Sequence, residues 1–197
     1  MEFPWFAVLG FAVAGSVTPG PNTIMVAAAA ANHGVRRTVP HMLGISIGFP
    51  LMIVVVGLGL AGPLAAHPAF QQGLRWVALA WVLWLALKVA RSAGPGEGDG
   101  RPPLGFVGGA LFQWVNPKAW MLALGSVATY AAAGEHYLIS VIIIAALFAA
   151  VCFPCTWVWA TFGAAMRQLL SVNWRLRLFS VTMAVLLVAS VLPVVLG

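Results

Sequence analysis

The chain has 197 residues, of which 62% are hydrophobic and only 7% charged, with a net charge of +6. A soluble domain carries about 25% charged residues, so this chain lacks the polar side chains to cover a water-facing surface, and it is too apolar for a disordered one. Two cysteines exclude a disulfide scaffold, and the basic residues are dispersed over loops rather than gathered in a stripe, which excludes a nucleic-acid interface.

What remains is an all-α polytopic membrane protein. Apolar runs at residues 4–31, 38–61, 70–90, 104–130, 139–166 and 176–196 are each long enough to cross a hydrocarbon core about 30 Å thick. In lipid such runs must be helical, because the backbone has no other hydrogen-bond partner. The start, Met1-Glu2-Phe3-Pro4, lacks the positive n-region of a cleaved signal peptide, so the first run reads as a span.

The first span contains GSVTPGPNTIMV. Pro19 and Pro21 have no N–H to donate to the carbonyls of Gly15 and Val17, and their rings clash with a continuing helix. Gly20 between them loosens the backbone further. The sequence therefore predicts freed carbonyls and a new helix start near mid-membrane, with Thr18 and Asn22 beside them to bond a ligand. A helix N-terminus placed there attracts an anionic group such as a carboxylate.

Arg36 and Arg37 follow this span. The second span carries His41 near its inner end, and Gly44, Gly48, Gly57 and Gly59, which predict close helix packing. The third ends in Lys88 and Arg91. The linker at residues 92–103, SAGPGEGDGRPP, is rich in Gly and Pro and reads as flexible. It separates a first three-helix repeat at 1–91 from a second at 104–197. An odd number of spans per half makes the two halves inverted, as in many secondary transporters. Val17-Thr18-Pro19 can be laid over Val115-Asn116-Pro117, so both halves open with a span broken at proline.

The fourth span reads FQWVNPKAWM. Lys118 lies roughly 21 Å into it, and Pro117 frees the carbonyl of Gln113. A charge there costs at least about 2.5–3.5 kcal/mol and marks a functional site by default. The four acidic residues, Glu2, Glu97, Asp99 and Glu135, all fall in tails or loops. Lys118 has no carboxylate partner within a span, so either the loosened carbonyls of span one or a substrate carboxylate would meet its charge. Asn116 and Gln113 stand beside it.

In the fifth span Cys152 and Cys155 form C-F-P-C on one helical face, a spacing that also suits thiol–disulfide exchange. Arg167, Arg175 and Arg177 flank the next loop. The loops at 62–69 and 131–138 hold no Lys or Arg. By the positive-inside rule the first, third and fifth loops are cytoplasmic and both termini lie outside. The four histidines, His33, His41, His67 and His136, show no metal-ligand spacing, and no catalytic motif is present.

The residues TPGPN at 18–22 and QWVNPKAW at 113–120 resemble the paired signatures of the LysE/RhtB family of bacterial amino-acid exporters. The glycine-spaced second span with Gly44 and Gly48 is similar to that family's second helix, and the approach GFVGGALFQWVNPK is similar to its fourth. This resemblance implies six helices in inverted repeats in the bacterial inner membrane, exporting an amino acid or related metabolite on the proton gradient, with no cofactor and no enzymatic activity. It departs from the family at residues 125–130, and at Asn22, where other members carry Asp.

Taken together, the residues predict a secondary exporter of a small neutral amino acid. Its carboxylate would meet Lys118 and the helix start after Pro21, and Thr18, Asn22, Gln113 and Asn116 would bind polar groups. The substrate site is thus expected at Thr18, Pro19, Gly20, Pro21, Asn22, Gln113, Asn116, Pro117 and Lys118. Lysine is disfavoured as cargo, since no buried carboxylate would receive its side chain. Lys118, His41 or the substrate would carry the coupling proton, and small residues on outer faces permit a homodimer. The alternative is a transmembrane thiol–disulfide electron carrier using Cys152 and Cys155.

Overall fold

The computed structural model describes residues 3–60 and 104–169 continuously, and helical residues at intervals within 72–87 and 174–189. The expected linker at 92–103, the loop at 62–69 and much of the expected third and sixth spans lie outside the described residues. Among the described residues all regular structure is helical.

The helices are α1 Trp5–Val17, α2 Pro21–His33, α3 Val35–Val55, α4 Phe106–Phe112, α5 Pro117–Tyr130 and α6 Tyr137–Leu169. A turn at Val56–Leu60 ends α3, and a tight turn at Gln113–Val115 joins α4 to α5. Among the described residues two stretches are long and apolar enough to cross a bilayer unaided, Val35–Gly59 and Gly134–Met166. By contrast α1 and α2 have 13 residues each, about 20 Å at 1.5 Å per residue. Neither covers the roughly 30 Å core alone, and only the pair in series does.

The outer faces are apolar. Phe6 is 91% exposed, Val107 65% and Leu111 62%, a surface suited to lipid rather than water. Burial of apolar side chains therefore gains little over contact with lipid tails, and close dispersive packing must hold the helices together. Phe148 on α6 shows how. Its ring meets Phe49 of α3 edge-on at 5.2 Å and Phe11 of α1 at 6.3 Å. Val8, Ala12, Met52, Ile53 and Ala123 fill in around them.

Glycine sets the closest approaches. A Cβ at Gly44 or Gly48 of α3 would overlap the backbone of Phe106 or Ala110 on α4, and one at Gly163 of α6 would overlap that of Ala27 on α2. Gly57 packs likewise against Val141, and its carbonyl accepts a 2.8 Å hydrogen bond from the Tyr137 hydroxyl. Gly59 differs from the packing role expected for it. Its φ of +84° lies in the left-handed region that glycine tolerates, so it serves to turn the chain.

α2 is the most enclosed helix, with buried residues on every side. It packs on α3 and α6 through Val26, Ala30, Met42, Ile45 and Ala160. Its Ile24 and Met25 meet Phe112 of α4 together with Ala86, Met183 and Ala184, so residues from the expected third and sixth spans reach this helix too. The N-terminus of α2 is thereby held inside the bundle, beside the start of α5.

Candidate functional site

The chain between α1 and α2 is extended. Thr18 has φ −64° and ψ 141°, and Gly20 is extended as well. Every backbone group a continuous helix would have paired must find another partner. The Thr18 hydroxyl donates back to the carbonyls of Ala14 (2.8 Å) and Gly15 (3.2 Å). The Trp159 indole N–H of α6 caps the Val17 carbonyl at 3.1 Å. The Gly20 N–H turns to the Thr23 hydroxyl at 2.9 Å instead of the Ser16 carbonyl, and that hydroxyl donates to the Gly20 carbonyl at 3.0 Å.

The chain between α4 and α5 is interrupted by one extended residue, Asn116, with φ −93° and ψ 108°. Its Oδ1 accepts the Lys118 N–H at 3.1 Å, an N-cap bond. Pro117 then occupies the first helical position, where its missing N–H costs nothing. Pro21 holds the same position in α2. By helix role the counterpart of Pro117 is therefore Pro21, not Pro19 as the sequence overlay pairs them.

Two contacts join the interruptions. The Lys118 ammonium donates to the Thr18 carbonyl at 2.7 Å, to the Thr18 hydroxyl at 2.9 Å and to the Pro19 carbonyl at 3.4 Å. An ammonium has three donors, so all are engaged, and a cation sits at the C-terminal, negative end of the α1 dipole. Asn22 of α2 and Gln113 exchange both amide bonds, at 2.9 and 3.3 Å, and Gln113 Nε2 also donates to the Gly109 carbonyl at 2.8 Å. Gln113 is fully buried.

Beside these contacts lies a partly open cavity with about 40 Å³ of free space, room for about three waters. Of the residues expected at the site, Gly20, Asn22, Gln113, Asn116 and Lys118 line it. Thr18 and Pro19 act through their contacts to Lys118 from the exposed side of the break. Pro21 and Pro117 shape the helix starts. The wall the sequence did not indicate comes from α1, α3 and α6, with Ser16, Ile45, Phe49, Cys152 and Thr156. Cys152 belongs to the C-F-P-C segment and Ser16 lies two residues before Thr18, but no local pattern places Ile45, Phe49 or Thr156 at this wall.

His41 is 1% exposed. Neither ring nitrogen has a hydrogen-bond partner among the described residues. It abuts α4, where a Cβ at Gly109 would meet its carbonyl and its ring. Cys152 and Cys155 are both free, buried thiols on α6. Among the described residues no three His, Cys, Asp or Glu side chains converge as metal ligands would.

The LysE type translocator profile matches residues 13–194, nearly the whole chain. This chain belongs to the LysE type translocator family. Both interruptions and the cavity between them fall inside the matched region. Membrane transport, rather than enzymatic turnover, is the family's activity. Among this translocator's relatives, a cysteine/O-acetylserine efflux protein of Salmonella typhimurium is 36% identical over 116 residues, 58% of this chain and 59% of that protein. Another of the same name from Klebsiella pneumoniae is 26% identical over 187 residues, 92% of this chain and 95% of that one. A third, from Escherichia coli O1:K1, is 32% identical over 116 residues, with 58% and 59% covered. The match spans about three-fifths of the length of the Salmonella and Escherichia relatives. No solved structure matches the chain.

Proposed function

We propose that this translocator exports a small, neutral amino acid across the bacterial inner membrane by alternating access. The observation that carries the reading is the bond set of Lys118. A cation at the start of α5 is held by carbonyls of the α1–α2 break, beside a cavity with no acidic side chain among the residues that line it. A substrate carboxylate entering that cavity is a stronger acceptor than a peptide carbonyl. It competes for the ammonium and releases Thr18 and Pro19. Binding is thereby tied to the link between the two interrupted helices, and so to their relative movement.

Two interrupted helices meeting at a site is the arrangement of inverted-repeat transporters, whose half-helix N-termini face the substrate carboxylate. The reading treats the two halves as such repeats and the α2–α3 turn, with Arg36 and Arg37, as cytoplasmic. The cavity is partly open and widens to load a whole amino acid. The relatives named for cysteine and O-acetylserine efflux support small neutral cargo.

For proton drive we assign His41 as the carrier. A fully buried imidazole with both nitrogens unpaired among the described residues is costly to keep unless it does something. It touches Gly109, whose carbonyl holds Gln113 at the cavity.

The test is an efflux panel. Cells expressing wild type or Lys118→Gln are loaded with amino acids by peptide feeding, and the medium is assayed. Export of a few small neutral amino acids by wild type, lost in the variant at equal membrane abundance, is expected. Strong export of lysine, or undiminished export by the variant, would overturn the reading.

A further inference from the structure

The cavity has two chemically different walls. One comes from α2, the Gln113–Val115 turn and α5, and offers Asn22, Gln113, Asn116 and Lys118. These amides and the ammonium suit the carboxylate and amino group common to all amino acids. The other comes from α1, α3 and α6, and offers Ser16, Ile45, Phe49 and Cys152. Nothing in the export reading uses this second wall.

We propose that Ser16, Cys152 and Phe49 form the side-chain subsite and favour cargo whose side chain carries oxygen or sulfur. The proposal rests on the export reading and adds which residues choose the cargo. Ser16 Oγ and Cys152 Sγ lie 3.7 Å apart, and either is able to donate. A hydroxyl and a thiol present both a donor and an acceptor, so the pair opens to receive a cargo hydroxyl, thiol or acyl oxygen without leaving a charge unpaired. A hydrogen bond between them this long and involving sulfur is easily exchanged.

The residues of this wall are held in place by their neighbours. Phe49 is 4% exposed and is held edge-on by Phe148 at 5.2 Å with an interplanar angle of 87°. Cys152 is buried in the middle of the 33-residue α6. Opposite Ser16's helix, a Cβ at Gly15 would come within 2.7 Å of Leu122 Cδ2 on α5, so α1 and α5 are already in contact. A hydrophobic wall rejects an extra methylene or an added hydroxyl by only about 10–200-fold, whereas a wall built to hydrogen-bond its cargo rejects an analogue lacking the polar group far more strongly. Branched apolar side chains are therefore disfavoured by the Ser16–Cys152 pair.

The experiment measures export of alanine, serine, O-acetylserine and leucine by wild type, Cys152→Leu, Cys152→Ala and Ser16→Ala, each normalised to membrane abundance. Filling the wall with Cys152→Leu should cut O-acetylserine export at least tenfold relative to alanine export. Emptying it with Cys152→Ala should raise leucine relative to serine by several-fold, and Ser16→Ala should lower serine relative to alanine. Cys152→Ala shrinks the side chain and keeps the test alive if the larger one fails to fold. Equal changes across all four cargoes would overturn the subsite while leaving export intact. A wild type that exports none of them would instead remove the export reading, and this proposal with it.

Discussion

Lys118 Nζ lies 2.7 Å from the Thr18 carbonyl oxygen and 2.9 Å from the Thr18 hydroxyl, so one ammonium ties the end of the α1 interruption to the start of α5. Charge alone does not make this fit. Three oxygens converge on one point, which a compact ammonium satisfies and a planar guanidinium does not. Lys118→Arg keeps the charge, yet it should export less than about a tenth of the wild-type rate, because a charged hydrogen-bond set is worth about 1.5–3 kcal/mol. Initial efflux rates in whole cells check this, and full activity in the arginine variant would mean that charge suffices.

The Asn22–Gln113 exchange is the second tie between the interruptions. Removing either side leaves the other amide short of partners inside the bundle. Asn22→Ala, Gln113→Ala and the double variant should therefore be non-additive, with a coupling of about 0.5–1.5 kcal/mol. Thermal unfolding of the purified protein in detergent measures it, and additivity would show that the two amides do not support each other.

His41→Gln separates carriage from drive. Exchange of cargo across vesicles at equal pH should persist, whereas accumulation against a gradient driven by a pH difference should be lost. Retained pH-driven accumulation would assign the coupling proton elsewhere, to Lys118 or the cargo.

Thiol–disulfide transfer requires both cysteines of the C-F-P-C segment. Cys155 does not line the cavity, and Cys155→Ser should leave export within about twofold of wild type, a small core change. Loss of all activity in that variant would favour the electron-carrier alternative.

The interruptions were legible because proline acts locally. Pro21 and Pro117 each take the first position of a helix, where no N–H is needed, with Gly20 or the extended Asn116 before them, whereas Pro40, Pro50 and Pro154 sit inside continuous helices. Lys118 was legible because a charge in an apolar run is conspicuous, and the loosened carbonyls that receive it were among its expected partners. The overlay of Pro19 on Pro117 does not extend to helix position, since Pro21 and Pro117 each open a helix and Pro19 lies in the extended stretch before one. The second cavity wall was hidden for another reason. Ser16, Phe49 and Cys152 come from three helices, and neither the GSVTPGPN run nor the C-F-P-C spacing says that they share a cavity. Only the packing of α1, α3 and α6, set in part by Gly163 against Ala27, brings them together. Gly59 was misread for packing because its neighbours in the span are packing glycines, and spacing alone does not reveal a positive φ.

The central claim is that Lys118 receives the cargo's carboxylate, and exchange in proteoliposomes tests it most directly. Vesicles carrying wild type or Lys118→Gln are loaded with labelled serine, and release is followed with external serine or serinamide, which lacks the carboxylate. Serine should drive exchange through wild type and serinamide should not, while Lys118→Gln responds to neither. If serinamide exchanges as well as serine through wild type, Lys118 does not bind the carboxylate and the account fails.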